Sequence, residues 1–151
     1  MREDIIEVLM MEDDQGDIKI TRESLKRSKL HINLNTVGDG KEGMDYLKKV
    51  GKYASAKTPQ LIILDLNMPR MDGRQVLHAI KHDDDIQLKR IPVVILTTSQ
   101  EEEDVIKSYL EGANCYIAKP VDFEQFQKVV NEIYNFWFTI VKLPDGIKKR
   151  E

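Results

Sequence analysis

Five short apolar runs alternate along this chain with segments whose apolar residues recur at helical spacing. Ile5 to Met11 forms the first run and stops where polar sequence begins at Glu12, as a buried strand ending in an acidic cluster does. Ile18, Thr21, Leu25 and Ser28 then recur at helical spacing and predict a first helix to about Ser28. Ile32, Leu34 and Val37 read as a second strand, Gly38-Asp39-Gly40 as a turn, and Met44, Leu47 and Val50 as a second helix followed by a loop from Gly51 to Pro59. After Gln60, Leu61-Ile62-Ile63-Leu64 is continuous, apolar and rich in isoleucine, the pattern of a central parallel strand buried on both faces. Asp65 ends it. Pro69 and Asp72-Gly73 then stop the strand and turn the chain into a third helix, about Arg74 to His82, with Val76, Leu77 and Ile80 facing inward. Asp83 to Arg90 is expected to be a solvated surface connection. Pro92 to Thr97 is the fourth run, and Ser99-Gln100-Glu101-Glu102 has the form of a capping box opening a helix that stops at Gly112. Cys115 to Ala118 is the fifth strand, and a long last helix starts at Asp122.

Regular alternation of this kind implies an α/β fold: a doubly wound, five-stranded parallel sheet with right-handed crossovers and helices on both faces. The 151 residues suffice for one domain with a real core. Hydrophobic residues at 41% and charged residues at 32% are ordinary for a soluble globular protein. A net charge of −3 gives no reason to expect nucleic-acid binding, and the Lys148-Lys149-Arg150 tail is too short to alter that. Cys115 is the single cysteine, which excludes an intrachain disulfide and fits a reducing, cytoplasmic setting. The Met1-Arg2-Glu3-Asp4 start and the lack of a long apolar segment predict neither signal peptide nor membrane span.

Chemistry is expected where the strands end. Glu12 and Asp13 leave the first strand, Asp65 the third, Thr97 the fourth and Lys119 the fifth, so the topology collects all five on one edge of the sheet. Three crowded carboxylates repel unless a cation neutralises them. A hard, all-oxygen site suits magnesium. Such an ion can bind a phosphoryl oxygen while Lys119 and the Thr97 hydroxyl hold the others, the arrangement that in-line transfer to a carboxylate nucleophile requires. Taken singly, each residue has a plainer role: Asp65 as a strand end, Thr97 as strand filler, Lys119 as a surface charge, and Glu12 and Asp13 as acids favoured at a helix N-terminus.

Glu12-Asp13, the run Asp65-Leu66-Asn67-Met68-Pro69, Thr97-Thr98 and Lys119-Pro120 together resemble the motifs of the CheY-like receiver domain of two-component response regulators. The resemblance covers about residues 4 to 134, with Asp65 to Thr97 spanning 32 positions and Thr97 to Lys119 spanning 22; the first interval is slightly long for the family. It implies a flavodoxin-like (βα)5 fold with Asp65 as phosphoacceptor, and magnesium held by Asp13, Asp65 and the Asn67 carbonyl, with Glu12 reaching it through water. It further implies Thr97 as switch hydroxyl, Tyr116 as a reorienting aromatic, Lys119 as phosphate partner, and a cis Lys119-Pro120 bond. The implied function is that of a stand-alone response regulator, not an enzyme in the ordinary sense. It takes a phosphoryl group from a sensor histidine kinase, assists its own phosphorylation and dephosphorylation, and signals by protein contact.

Two other functions share the architecture. An aspartyl-phosphate phosphohydrolase of haloacid-dehalogenase type needs an acid two residues after its nucleophile, where this chain has Asn67. A flavodoxin-like cofactor binder needs a phosphate-cradling loop after the first strand, where Glu12-Asp13-Asp14 repels phosphate. Past the usual receiver boundary, Phe136-Trp137-Phe138-Thr139-Ile140-Val141-Lys142-Leu143-Pro144 is similar to the tail of cyanobacterial phytochrome (Rcp-type) response regulators, and implies a phytochrome-like kinase. Ile133, Tyr134, Phe136, Trp137, Phe138, Ile140, Val141 and Leu143 crowd this extended helix. They are expected to wrap most of its circumference, making residues 135–151 a homodimer contact with Phe136, Trp137 and Phe138 as anchors.

Overall fold

A computed structural model describes residues 5–144; the Met1–Asp4 start, the Lys148-Lys149-Arg150 tail and the end of the expected C-terminal extension lie outside them. Five strands, β1 (Ile6–Met11), β2 (Ile32–Val37), β3 (Leu61–Leu64), β4 (Val93–Thr97) and β5 (Cys115–Ala118), form one sheet. Its order is β2-β1-β3-β4-β5, and every neighbouring pair is parallel. The chain moves from β1 outward to β2, then returns to the other side of β1. That reversal lies between β1 and β3, so the crevice at their carboxyl ends is where such a sheet accepts a ligand.

Alternation along the central strands separates the two cores. Leu9, Met11, Ile62, Leu64, Val93 and Ile95 face α2 (Gly40–Lys48), α3 (Gly73–Lys81) and their neighbours. Val8, Met10, Leu61, Ile63, Val94 and Leu96 face the opposite cluster, to which α1 (Gln15–Lys26) and α6 (Phe123–Asn135) contribute Ile18, Phe126, Val130 and Ile133. This is the flavodoxin-like doubly wound architecture, and its central strands read as unbroken apolar runs because both of their faces are covered.

The helix starts are set by aspartates. Asp14, Asp39, Asp72 and Asp122 each accept a backbone N–H in the first turn of α1, α2, α3 and α6, satisfying donors that a helix leaves unpaired. Gly73 opens α3 against the end of β3: a Cβ there would stand 2.2 Å from the Asp65 carbonyl oxygen, and its N–H donates to the Leu66 carbonyl at 2.9 Å. Only glycine allows α3 to begin that close to Asp65.

Several local expectations are corrected. The reciprocal capping box is at Asp72 and Gln75. At Ser99 the hydroxyl donates to Asp104 at 2.6 Å, so α5 (Glu102–Glu111) starts from Glu101 with no side-chain cap. Its stop at Gly112, with φ 109°, is as expected. Lys49 ends α2 in the left-handed region, leaving Val50 outside the helix and exposed, and α1 stops at Lys26 rather than Ser28. The Gly51 to Pro59 segment opens with a 3-10 turn, Gly51–Tyr53. Among the described residues no peptide bond is cis, so Lys119–Pro120 is trans, the form that X–Pro amides favour by about 0.5–1 kcal/mol. The connection after α3 is no mere solvated surface: it holds a one-turn helix, α4 (Ile86–Lys89), capped by Asp85, which delivers Leu88 and then Ile91 to the core.

Beyond α6 the chain widens into a π-helical turn, Phe136–Ile140, closed by the Val141 N–H donating to the Phe136 carbonyl at 2.9 Å. Trp137 and Phe138 pack against the core formed with Tyr134 and Ile133, and the Phe138 ring stacks on Tyr134 with centroids 5.9 Å apart. Two of the three expected dimer anchors are therefore engaged within their own chain, while Phe136 and Ile140 remain exposed.

Leu88 tests the reading of α4. Its side chain is 3% exposed, so Leu88→Ala should lower unfolding free energy by about 2–5 kcal/mol in urea denaturation; a change near zero would return the connection to solvent.

Candidate functional site

The carboxyl ends of β1 and β3 and the first turn of α1 converge on one ammonium group at the end of β5. Lys119, one residue past β5, is drawn alongside β4 by its N–H donating to the Thr97 carbonyl at 2.7 Å. Its Nζ lies 2.7 Å from Glu12 Oε1, 2.8 Å from Asp17 Oδ2 and 3.1 Å from Asp65 Oδ2. An ammonium has three protons to donate, and here each meets a carboxylate. Glu12, Asp65, Thr97 and Lys119 are buried; Asp13 and Asn67 sit at the exposed mouth. Asn67 donates its backbone N–H to Asp65 Oδ1 at 3.2 Å, and its amide reaches Thr97 Oγ1 at 3.5 Å.

The electrostatics leave the cluster short of positive charge. Burial pushes the Glu12 carboxyl up to about 7; the Lys119 ammonium opposes that and Asp65 adds repulsion. Burial also disfavours the charged lysine, but its bonds to Asp17 and Glu12 win, holding the ammonium above the ordinary lysine range. One cation serves three acids, and burial, more than their mutual repulsion, raises Glu12 towards binding a proton near neutrality. Glu12, Asp13 and Asp65 each offer a carboxylate oxygen within 4.8 Å of the others. A hard divalent cation fits that donor set and would take the place of the proton.

A second network leads away from the pocket. The Ser99 N–H points at Thr97 Oγ1 at 3.5 Å, a weak contact. Tyr116 donates its hydroxyl to the Ser99 carbonyl at 3.0 Å, and its N–H donates to the Tyr109 hydroxyl on α5 at 3.1 Å. The Ser99 hydroxyl bonds Asp104, which accepts a two-point contact from Arg74 on α3, each at 2.8 Å. The fork-to-carboxylate geometry ties α3 to α5. Arg74 and Ser99 hold the Asp104 carboxyl low, at about 2.

Glu12, Asp13, Asp65, Asn67, Thr97 and Lys119 thus lie at this edge, with Tyr116 beside Ile95, further back in the sheet. Asp17 was missed, although an acid in the first turn of the helix after Glu12-Asp13 is placed to face back over the sheet. Arg74 and Asp104 were missed because they stand on separate helices, 30 positions apart, with no local pattern to pair them.

The family model for the response regulator receiver domain matches residues 8–131. The chain belongs to that family. Response regulator Rcp1 of Synechocystis sp. is 44% identical over 137 residues, spanning 91% of this chain and 92% of Rcp1. The phosphorylated cyanobacterial phytochrome response regulator RcpA superposes with a TM-score of 0.90 at 43% identity, covering 94% of this chain and all of that structure. The Mn2+-bound form of Rcp1 superposes at 0.89 with 42% identity, covering 93% of this chain and 99% of that one. The chain is therefore a receiver-domain response regulator, of a family that signals through phosphorylation by histidine kinases and takes a divalent metal. Among the described residues no helix is long and apolar enough to cross a membrane.

The receiver's Asp104 gives a pH test with a definite sign. A carboxyl whose folded pKa is depressed contributes stability above its unfolded value, lost as pH falls through the folded one. Asp104→Asn should therefore cost about 1 kcal/mol at neutral pH, as a well-aligned surface pair does, and the difference should close as pH falls from about 4 towards 2. A cost unchanged over that range in paired denaturation series would show that the ion pair contributes nothing.

Proposed function

We propose that Asp65 is the phosphoacceptor of this response regulator, receiving a phosphoryl group from the phosphohistidine of a sensor kinase. The observation that carries the reading is the buried Lys119 ammonium 3.1 Å from Asp65 Oδ2: a cation that already neutralises the buried carboxylate stands within reach of the oxygens an aspartyl phosphate would add there. An Asp65 oxygen forms the new O–P bond as the histidine N–P bond breaks, and the leaving imidazole nitrogen keeps the bonding electron pair. Lys119 then shifts its donors from Glu12 and Asp17 towards the phosphoryl oxygens, and the Thr97 hydroxyl with the Thr98 backbone supplies others.

A divalent cation, magnesium by its preference for oxygen donors, would be held by Asp13, Asp65 and the Asn67 carbonyl, with Glu12 through water. When bound it offsets the carboxylate charge and polarises the phosphoryl group. Phosphorylation adds about −1.5 to −2 charges at the pocket mouth. Thr97 is drawn towards them, and the Ser99 and Tyr116 contacts carry the change to α5, β5 and α6. The likeness to phytochrome response regulators, and the shared tail, support a phytochrome-like kinase in the cytoplasm as the phosphoryl source.

Acetyl phosphate with magnesium should label the protein, and Asp65→Asn should abolish the label. Thr97→Ala should still be labelled but lose the phosphorylation-dependent amide shifts around Tyr116. Undiminished labelling of Asp65→Asn would overturn the assignment.

The exposed Phe136 and Ile140 lie four positions apart on one side of the terminal turn, beside an α6 that also exposes Phe123. They support a homodimer through this face, with Phe136 rather than Trp137 or Phe138 as its anchor. Sedimentation equilibrium should show Phe136→Ser and Ile140→Ser together shifting the protein to monomer without unfolding it. Equal masses for variant and wild type, well above micromolar concentration, would defeat the dimer.

A further inference from the structure

Away from the phosphorylation pocket, α3 and α5 bring two histidines and a carboxylate together. His78 and His82 are four residues apart, so they share one face of the helix end; their rings stack with centroids 4.0 Å apart. Glu111, the last residue of α5, reaches across between them. His78 Nδ1 lies 3.0 Å from Glu111 Oε2, and His82 Nδ1 lies 3.6 Å from Glu111 Oε1. One ring nitrogen from each histidine and one carboxylate oxygen fall within 4.8 Å of one another.

Two observations point to a ligand rather than a plain ion pair. Glu111 Oε1 is shut off from water and accepts no hydrogen bond, and 3.6 Å is too long for one from His82. An orphaned carboxylate oxygen facing two imidazoles is a costly arrangement without a further partner. Nor do Lys81 and Lys107 supply it: Lys81 Nζ donates to the carbonyls of Lys89 and Ile91, and Lys107 pairs with Glu103 at 2.9 Å. The second observation is the spacing. Donors about 2.0–2.1 Å from one tetrahedral ion stand about 3.4 Å apart, and a mutual reach of 4.8 Å for one nitrogen of each ring and a Glu111 oxygen leaves only a small side-chain adjustment to that spacing.

We infer that His78, His82 and Glu111 form a binding site for a zinc-class divalent transition metal, clamping the end of α3 to the end of α5. Nitrogen donors select such an ion over magnesium or calcium, which take oxygen. His82 Nδ1 lies 2.9 Å from the His78 carbonyl oxygen; in the tautomer that donates this bond the lone pair is on Nε2, the second contact that orients metal-ligating imidazoles. Three protein ligands leave the fourth tetrahedral position to water. The site shares no residue with the Glu12, Asp13 and Asp65 cluster, so it stands or falls independently of the phosphoacceptor assignment.

Calorimetric titration of zinc into the full chain, with magnesium in large excess to occupy the acidic pocket, tests the inference. One equivalent should bind, and His78→Ala, His82→Ala and Glu111→Gln should each weaken it at least about tenfold, while His31→Ala leaves it unchanged. On the wild-type protein, the imidazole resonances of His78 and His82 should shift with zinc and that of His31 should not, a readout that needs no variant to fold. Zinc should raise the melting temperature of wild type but not of the His78→Ala, His82→Ala double variant. Binding that persists undiminished in the double variant, zinc retained only when magnesium is omitted, or a shift confined to His31 would overturn it.

Discussion

The Lys119 ammonium, held among Glu12, Asp17 and Asp65, is the constraint on which the rest of the molecule turns. Three elements besides its own strand end meet at it: β1, β3 and α1. Buried carboxylates without a cation would be far costlier than the pair itself, so the carboxyl ends of the strands can lie together only while that charge stays among them. The parallel topology makes this possible, since every strand delivers its carboxyl end to the same edge. Gly73 completes the arrangement by letting α3 begin against the Asp65 backbone, where any side chain would collide with the carbonyl oxygen.

A cluster with one cation for three acids is poised rather than satisfied. Burial, with a smaller push from Asp65, raises the Glu12 carboxyl, and a divalent ion or a redistribution of the lysine's bonds would favour its charged form. Thr97, fully buried at the end of β4, is the natural place for such a change to be felt, because its hydroxyl faces both Asn67 and the Ser99 N–H at long distance. Contacts of 3.5 Å are weak and can be exchanged at little cost. Behind them the Ser99, Asp104 and Arg74 bonds are short. The soft joint therefore lies at the pocket and the stiff ones in the link to α5.

Features legible from the sequence were those a strand or a family motif writes locally. β3 and β4 could be read because burial on both faces leaves an uninterrupted apolar run, and Glu12, Asp13, Asp65, Thr97 and Lys119 because a parallel sheet turns strand ends into neighbours. Asp17 escaped notice because a helix residue near acids reads equally well as a dipole partner. The Asp83 to Arg90 connection is solvated at Asp84, Lys89 and Arg90 as its charge suggested, but that charge hid the capped turn that carries Leu88 into the core. Ser99 misled in the opposite way, since a hydroxyl with a better acceptor in Asp104 does not cap its helix. The pairing of Arg74 with Asp104, and of His78 and His82 with Glu111, depends on how α3 lies beside α5, which no local spacing encodes.

The C-terminal segment shows how counting apolar residues differs from placing them. Val130, Ile133, Tyr134, Trp137, Phe138 and Val141 fall at i, i+3, i+4, i+7, i+8 and i+11, the stripe of a single amphipathic face, and all but Val141 contribute to the core beneath α6. What looked like an apolar helix wrapped on all sides is a continued stripe plus Phe136 and Ile140. The π-helical turn widens the spiral where the bulky Trp137 and Phe138 rings both reach inward, and Phe136 and Ile140 are left exposed on the far side. An interface built there gains a narrow patch rather than a whole helix. A loss of Trp137 or Phe138 would act first on the fold of its own chain, and only through that on any partner.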